Sequence, residues 1–482
     1  MEYQRILILT AILLFSLTFP PLNIGLMAYI SWVPLYFYLN QNLSTKKILI
    51  SGLLYGSSIT AIYTRWFISL NEWAPIYSII ILWTILIIYS GIFYSGLFFI
   101  IKLLKSKIGL FNSSIIGIVI TEWIKQLGPF GIPIGILGYS QAYYPSILNI
   151  ASIFGVIGIS LFIISINYII FSIAEKKPMH HSLALSILFI IIISFKAINN
   201  EPDKTEIMVS IVQPNHSQHE KLNPYTNKTL TQKLLIQSQK LLQKSSLIVW
   251  PETVSFKQHS QDKSFLKKVR NSLNSKNLLL GTPEIKEQEL FNSALLVSKT
   301  NTQIYTKKRL MPFGEYFPFK KILILLKLDH LIPNREFSSE NQRTLLISDP
   351  LKIATGICLE AIYQSEYLDQ SPDSNLLVLL SNSAWFFDSI AAQELFELSI
   401  LRAVENNRYL VHAANTGISG IINHKGHIIS QTKLNKKAEL TATVQLIDQP
   451  SIFSKIGNYG VFSLAALIAI LGFKSESQSS SS

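Results

Sequence analysis

The first two hundred residues are built from long apolar runs separated by short polar breaks. A run of about 20 apolar residues is long enough to cross a bilayer as a helix. The pattern predicts seven spans in this part of the chain, at residues 6–19, 23–39, 48–66, 76–104, 108–124, 147–174 and 182–198. A short apolar run at residues 459–473 predicts an eighth. The chain is therefore predicted to contain a polytopic α-helical membrane domain.

The region between residues 200 and 455 follows a different pattern. Its apolar runs are short and alternate with amphipathic stretches. "EIMVSIVQPN", "SLIVWPE" and "LKIATGICLE" are predicted strands, whereas "TLTQKLLIQSQKLL" and "AAQELFELSILRAVENN" have helical periodicity. Buried strands interleaved with helices are typical of a layered α/β domain. Such folds place their chemistry at strand ends, so the residues that follow each strand are the first candidates for a site.

These patterns divide the chain into four segments. Residues 1–199 are the transmembrane domain with seven spans, and residues 200–455 are the α/β domain. Residues 456–473 contain the last span. Residues 474–482, "KSESQSSSS", are predicted to be a disordered polar tail.

Lys and Arg are distributed unevenly among the short loops, and this predicts the orientation of the chain. One set of alternate connections is rich in both, whereas the opposite set has only Arg65 and Lys125. Cytoplasmic loops are enriched in Lys and Arg, so both termini are predicted to be cytoplasmic and the α/β domain to lie outside. The residues of the rich set are Arg5, Lys46, Lys47, Lys102, Lys105, Lys107, Lys176 and Lys177.

The formal net charge of +13 changes this picture little. The lysines are scattered, and no basic stripe with interleaved aromatic residues is present, which argues against a nucleic-acid partner and favours anionic phospholipid. The sequence also lacks an H-E-x-x-H motif, a Cys/His cluster, a P-loop and a dinucleotide glycine fingerprint. We therefore expect neither a metal nor a nucleotide cofactor.

The chain has a single cysteine, Cys358, at the end of a predicted strand in "GICLE". One cysteine excludes an intramolecular disulfide and a Cys-rich metal site. Judged by its number alone, this thiol is better interpreted as a small buried hydrophobe than as a reactive group. Its neighbour Glu360, two residues further on, leaves the second interpretation open.

Two other strand ends carry charged groups. "VWPETVSF" places Glu252 directly after an apolar strand, where a solvated turn acid is the simpler interpretation. "YTKKRLMPFGEYFP" mixes Lys307, Lys308 and Glu315 with aromatic residues, which predicts a packed loop with a buried charge pair.

Together these strand ends supply the groups needed for acyl transfer through a thioester. A thiol attacks only as the thiolate, so it needs a base and a nearby cation. Glu252 is the candidate base for Cys358. Lys307 is the candidate group for the developing oxyanion, together with the backbone N–H of Leu359.

The motifs resemble those of the bacterial apolipoprotein N-acyltransferases, which are membrane members of the nitrilase, or carbon–nitrogen hydrolase, superfamily. The resemblance covers nearly the whole chain. "WPET", "YTKKRLMPFGEYFP" and "GICLE" match the specific family motifs, and "SNSAWF", "RAVENNR" and "AANTGISG" agree more weakly.

This resemblance implies a nitrilase-like αββα sandwich in which Glu252 is the general base, Lys307 the oxyanion stabiliser and Cys358 the nucleophile. Glu315 and Glu360 match essential acids of the family. The implied reaction transfers a fatty acyl chain from a membrane phospholipid, through a cysteine thioester, to the N-terminal amine of an S-diacylglyceryl-cysteine apolipoprotein. The implied location is the cytoplasmic membrane, with the catalytic domain in the periplasm, and a monomer is expected.

The sequence departs from the family pattern at a few positions. In the pattern Q-x-N-x-x-Q-x-x-K-W, Leu222 replaces the tryptophan, and Leu359 replaces an aromatic residue between Cys358 and Glu360. Ser383 and Phe387 stand where the family has Asp and Gly. The aromatic loop Trp385, Phe386 and Phe387 is interpreted either as a membrane-dipping lid or as ordinary core.

Two alternative functions stay open at this point. The first is a membrane-tethered amidase or nitrilase that uses water as the acceptor and releases ammonia from small amides. The second is a transporter or an inactive lipoprotein-binding scaffold. The spans argue against this second alternative because they lack paired charges: Glu122 and Arg65 are predicted to lie at the membrane interface.

Overall fold

The computed structural model describes residues 2–128, 131–198, 205–255, 257–273, 276–318, 320–325, 336–342 and 344–479. The chain forms two compact units. The helical unit comprises Met1–Pro202 and Ser451–Ser482, and the sheet unit comprises Asp203–Pro450. The helical unit is thus formed by two segments of the chain, and the sheet unit by the single segment between them.

Eleven α-helices are described in the helical unit. Nine precede the sheet unit and two follow it. They are α1 Glu2–Leu17, α2 Ala28–Ser31, α3 Val33–Leu39, α4 Thr45–Tyr63, α5 Ile76–Ile108, α6 Leu110–Ile124, α7 Pro145–Leu148, α8 Ala151–Glu175, α9 His180–Ile198, α16 Ile452–Ile456 and α17 Tyr459–Ser479.

Two of the described helices have both the length and the apolarity of membrane spans, and four apolar helices are shorter. Among the described residues, Ile76–Ile108 and Ala151–Glu175 are long and apolar enough to cross a bilayer. Shorter apolar helices lie at Gly25–Leu39, Leu110–Ile124, His180–Ser194 and Tyr459–Lys474. Helix α5 also leaves a row of isoleucines about half exposed, which suits contact with lipid. They are Ile80, Ile81, Ile85, Ile88 and Ile92.

The predicted spans fall on helices, with one difference at the last of them. Helix α17 continues to Ser479, so residues 474–479 are helical where a disordered tail is predicted, and residues 480–482 lie outside the described residues. The depth of Glu122 in the membrane stays a prediction. Its side chain is buried within the protein, and its Oε1 accepts hydrogen bonds from the backbone N–H of Leu137 and from Ser160 Oγ, both at 3.1 Å. A buried carboxylate is stabilised by such donors rather than by water.

The sheet unit contains two mixed β-sheets. One has the strand order β13-β1-β2-β3-β4-β5 with β6 beside β4, and the other has the order β12-β11-β10-β9-β8-β7. The strands are β1 Thr205–Gln213, β2 Leu247–Val249, β3 Asn277–Lys286, β4 Glu289–Val297, β5 Thr302–Thr306, β6 Phe337–Ser338, β7 Leu346–Ser348, β8 Leu351–Ile357, β9 Leu376–Ser381, β10 Leu410–Ala414, β11 Gly420–Ile422, β12 Ile428–Gln431 and β13 Ala438–Leu446.

The remaining helices belong to the sheet unit. They are α10 Gln218–Leu222, α11 Pro224–Leu242, α12 Lys263–Leu273, α13 Lys320–Leu325, α14 Gln364–Leu368 and α15 Ala391–Asn406. Both sheets have parallel central pairs: β1, β2 and β3 in the first, and β8, β9 and β10 in the second.

The packing explains why the central strands are apolar on both faces. In β2, Leu247 and Val249 belong to the core that also contains residues of the second sheet, such as Ile353 and Val378. Ile248, between them, belongs instead to the core that includes residues of α11 and α12. Successive side chains of a strand point to opposite faces, so a strand covered on both sides reads as a continuous apolar run. The predicted αββα sandwich is confirmed.

Candidate active site

Cys358 occupies a sharp turn where strand β8 ends. It is the first residue of a short 3-10 helix, Cys358–Ile362, and it has a φ of 50°. This left-handed conformation is strained for a residue with a side chain, and such strain often marks a functional site. The backbone N–H of Asn382, just after β9, donates a hydrogen bond to the thiol. Burial raises the pKa of Cys358, and Glu252 raises it further while Lys307 lowers it.

Glu252 follows β2 in the adjacent sheet and is buried, with 7% of its surface exposed. Its Oε1 accepts a hydrogen bond of 2.7 Å from Asn292 Nδ2. Burial raises the pKa of Glu252, and Glu315 acts in the same direction, while Lys307, Asn292 and Lys221 lower it. A buried carboxylate with a raised pKa is suited to take a proton.

Lys307 lies one residue beyond β5 and joins the two acids. Its Nζ donates to both oxygens of Glu315, at 2.9 and 2.8 Å, and lies 3.8 Å from Glu252 Oε1. The side chain is 1% exposed. Burial works to lower the pKa of Lys307, but Glu315 and Glu252 outweigh it and raise the pKa. Lys307 therefore stays an ammonium throughout the pH range in which enzymes work.

Glu315 is held on several sides. Besides Lys307, Asn292 Nδ2 donates to its Oε1 at 2.8 Å and the backbone N–H of Met311 donates to its Oε2 at 2.7 Å. It therefore fixes the position of the Lys307 ammonium by charge-assisted hydrogen bonds, the stronger class of such bonds.

Glu360 is fully buried and ties the nucleophile turn to the lysine loop. Its carboxylate accepts from the backbone N–H groups of Ile357 and Lys308, both at 2.7 Å, from that of Arg309 at 3.2 Å, and from the Tyr305 hydroxyl at 2.9 Å. Burial raises the pKa of Glu360 to about 7, against the opposing effect of Lys307. With its oxygens engaged by these donors, Glu360 is suited to hold the two loops in place.

The structure thus brings Glu252, Lys307, Glu315 and Cys358 into one cluster, in which Glu252 and Lys307 are buried and Glu315 and Cys358 are partly buried. The backbone N–H of Leu359 follows the nucleophile at the start of the short helix, where the first N–H groups of a helix lack partners within it. The sequence alone left open whether these groups meet, because they are separated by up to 106 residues along the chain.

Two residues beside this cluster were not identified as site residues from the sequence. Asn292 is a lone amide inside the apolar strand β4, which the sequence pattern did not single out. Lys221 in α10 is 1% exposed, and burial lowers its pKa to about 8 while the charge of Glu252 raises it. The sequence did contain a signal for Lys221, because in "QPNHSQHEKL" it occupies the lysine position of the family pattern. The next residue, Leu222, replaces the tryptophan of that pattern, and its side chain lies outside the described residues.

The predicted aromatic lid is only partly exposed. Trp385 and Phe387 are 38% and 37% exposed, whereas Phe386 is 9% exposed and therefore buried. A role in contacting a membrane stays a prediction for Trp385 and Phe387, and the burial of Phe386 favours the core interpretation for that ring. Ser383 is buried in the same turn.

Among the described residues, no group of three or more His, Cys, Asp and Glu side chains is placed to hold a metal ion.

Comparison with known proteins gives two family matches. Residues 208–449 match the carbon-nitrogen hydrolase family, and residues 11–169 match the apolipoprotein N-acyltransferase N-terminal domain. The first match covers the sheet unit almost completely, and the second falls entirely within the helical unit.

Individual proteins are also similar to this chain. The apolipoprotein N-acyltransferase of Nitrosomonas europaea is 29% identical over 367 residues, which is 73% of this chain and 72% of the relative. That of Methylococcus capsulatus is 27% identical over 500 residues, covering 99% and 97%. Among solved structures, Nit3 of Saccharomyces cerevisiae, a nitrilase superfamily member, is 15% identical, with a TM-score of 0.39 over 51% of this chain and 93% of that one. The chain therefore belongs to the carbon–nitrogen hydrolase family, among the members that also carry the apolipoprotein N-acyltransferase N-terminal domain.

Proposed function

We propose that this protein transfers a fatty acyl chain from a membrane phospholipid to the N-terminal amine of an S-diacylglyceryl-cysteine apolipoprotein. The observation that carries the proposal is the position of Cys358, at a strand end beside Glu252 and Lys307, in a sheet unit joined to apolar helices. The relatives are named for apolipoprotein N-acylation, which supports this reaction, and the thiol can hold the acyl group covalently between donor and acceptor.

The first half of the reaction forms a thioester on Cys358. Glu252 takes the thiol proton, and the thiolate attacks the ester carbonyl of the phospholipid to give a tetrahedral intermediate. Lys307 and the backbone N–H of Leu359 stabilise its oxyanion. When the intermediate collapses, the C–O bond of the ester breaks and the leaving alkoxide takes the proton from Glu252, so a lysophospholipid departs.

The second half transfers the acyl group to the apolipoprotein. The neutral α-amine of the acceptor attacks the thioester carbonyl, and Glu252 accepts a proton from the attacking nitrogen. Collapse of the second intermediate breaks the C–S bond, and the proton on Glu252 returns to the sulfur. An amide has formed and the free thiol is restored, as a ping-pong mechanism requires.

The location of the substrates explains the helical unit. Both the donor ester and the diacylglyceryl acceptor are lipids, so we place the protein in the cytoplasmic membrane as a multi-pass, monomeric enzyme. The Lys and Arg content of the loops supports cytoplasmic termini and a periplasmic sheet unit. Water must be kept from the thioester, since hydrolysis would waste the acyl chain. Trp385 and Phe387 are the exposed rings proposed to shield the site.

The test is to detect the thioester directly. Full-length wild type and the Cys358→Ala and Cys358→Ser variants are incubated with phosphatidylethanolamine in detergent micelles and measured by intact-protein mass spectrometry. We expect an acyl adduct that hydroxylamine removes, on wild type only. Addition of a diacylglyceryl peptide should then discharge it and give an N-acylated peptide.

Two outcomes would contradict the proposal. An adduct of equal yield on Cys358→Ala would show that the acyl group is attached elsewhere. Release of ammonia from small amides by wild type, with no acylated peptide, would instead identify an amidase that uses water as the acceptor.

A further inference from the structure

Asn292 lies between the two carboxylates of the cluster. It is 3% exposed, on strand β4. Its single amide nitrogen donates to Glu252 Oε1 at 2.7 Å and to Glu315 Oε1 at 2.8 Å. Its backbone carbonyl accepts from the N–H of Lys307 at 2.9 Å. One residue therefore contacts the candidate base, the second acid and the backbone of the candidate oxyanion stabiliser.

The orientation of this amide follows from its neighbours. Both groups near the nitrogen are carboxylate oxygens, which only accept hydrogen bonds when ionised. The amide oxygen lies 3.5 Å from the hydroxyl of Thr253, which can donate to it. An amide rotated by 180° would place its oxygen against both carboxylates. The two N–H bonds of Asn292 are thus each matched to one acid.

The neighbouring carboxylates of Glu252 and Glu315 repel each other, and one ammonium shared between them offsets this repulsion only in part. Lys307 lies closer to Glu315 than to Glu252, with its nitrogen 2.8 Å from the former and 3.8 Å from the latter. Glu252 is therefore the less firmly held of the two acids by that ammonium. A neutral donor of two hydrogen bonds holds both acids without adding a charge that would compete with Lys307 for the oxyanion.

We propose that Asn292 is a positioning residue that holds Glu252 and Glu315 together and, by donating to Oε1 of Glu252, keeps this carboxylate ionised and oriented for the reaction. This inference rests on the proposed roles of Glu252 as base and Cys358 as nucleophile. In this proposal Asn292 acts through Glu252, to which it donates a hydrogen bond.

The charges facing Glu252 come from several elements. They are Lys307 beyond β5, Glu315 in the loop that follows, Lys221 on α10 and the thiol of Cys358 beyond β8. Of these, Lys307 and Lys221 favour the carboxylate form and Glu315 opposes it. Removal of the Asn292 donor raises the pKa of Glu252, so the base loses its ionised form at a higher pH.

The test uses the fact that Cys358 is the only thiol. The rate of its alkylation by iodoacetamide is measured on the full-length protein between about pH 5 and pH 9. For Asn292→Asp, which replaces the donor with an acceptor of the same shape, we expect the acid limb of the profile to move up by about one pH unit or more, since a hydrogen bond to a charged group has about that effect. For Asn292→Ala, which adds no charge, we expect a smaller shift in the same direction.

Controls separate positioning from folding. Asn271→Asp, at an exposed site on α12, adds the same charge elsewhere and should leave the profile unchanged. Should Asn292→Asp fail to fold, as judged by thermal unfolding, Asn292→Ala carries the test. Folded Asn292 variants whose rate falls evenly at every pH, with no movement of the acid limb, would overturn the proposal.

The same proteins are assayed for thioester formation with phosphatidylethanolamine, where a drop of about 100-fold is expected for a misplaced base. The two proposals fail differently. A shifted alkylation profile with no acyl transfer by wild type would retain the role of Asn292 and reject the proposed function. Normal acyl transfer by the Asn292 variants would reject the role of Asn292 alone.

Discussion

At the scale of single residues, the site depends on a balance of buried charges. Glu252 and Glu315 carry two negative charges, which Lys307 alone would leave uncompensated. Lys221 supplies a second ammonium whose charge acts on Glu252. Its short helix is also linked to the candidate nucleophile, since Asn382 donates through Nδ2 to the side-chain Oε1 of Gln218 on α10 and through its backbone N–H to Cys358.

We predict that Lys221→Met makes the enzyme more sensitive to acid. The pKa of Glu252 is already raised above its usual value of 4.5, and the charge of Lys221 lowers it. Glu252 acts as base only when ionised, so activity is lost as pH falls through that pKa. Removing Lys221 raises the pKa further, and the acid limb of the alkylation profile should move to higher pH by roughly one unit.

The matched control for this prediction is Lys240→Met, at an exposed position on α11. It removes the same charge from the surface, where solvent screens it. Equal acid limbs for wild type and Lys221→Met would show that Lys221 does not act on the base.

At the scale of elements, strand β3 shapes the turn that carries Glu252, the proposed base. The N–H of Gly281 donates to the carbonyl of Pro251 at 3.1 Å. A Cβ atom at Gly281 would lie 2.5 Å from the Cα of Glu252 and from the backbone nitrogen of Thr253. Backbone atoms on a buried strand end cannot yield as a flexible side chain can. Only glycine allows the turn after β2 to pack this closely on β3.

Gly281→Ala is therefore expected to displace Glu252 while leaving Cys358 in place. Thioester formation should fall by about 100-fold, the effect of a misplacement near 1 Å. The free energy of unfolding should fall by about 1–3 kcal/mol, as for other overpacked sites. Mass spectrometry and thermal unfolding in detergent measure the two effects.

Gly96→Ala on α5 provides the comparison, since no atom lies within 4 Å of a Cβ placed there. Its activity should equal that of wild type. Full activity of Gly281→Ala would mean that the turn tolerates displacement and that the base is less tightly positioned than inferred.

At the scale of the whole molecule, the two units differ in where their apolar side chains lie. The helical unit exposes apolar side chains such as those of α5, while the sheet unit buries its apolar residues between the sheets and under helices. An enzyme whose substrates are both lipids needs a catalytic domain held at the bilayer, and the membrane orientation determines which lipids it meets.

Cysteine labelling tests the proposed orientation. Because Cys358 is the only cysteine, Cys358→Ala gives a cysteine-free background. In that background, Thr300→Cys on an exposed turn of the sheet unit should react with a membrane-impermeant maleimide in cells whose inner membrane is intact. Asn42→Cys, in the exposed loop between α3 and α4, should react only after permeabilisation. The opposite pattern would place the sheet unit in the cytoplasm.

The sequence by itself determined the features that depend on local order along the chain. Long apolar runs predict membrane-spanning helices, because a backbone in lipid must satisfy its own hydrogen bonds. Apolar strands followed by Glu252, Lys307 and Cys358 predict that these side chains lie at the ends of strands. The final helix was predicted to end at residue 473, but it continues to Ser479, because helix ends depend on weak local signals.

Only the tertiary structure decided which of these groups meet and what supports them. Asn292 comes near Glu252 because β3 pairs with β4, a pairing that sets Asn292 opposite Pro283 and that no local pattern encodes. Glu360 and Glu315 look alike in sequence, yet the first holds backbone N–H groups and the second holds an ammonium. Such roles depend on contacts between distant segments, whose register is fixed by burying both faces of each sheet.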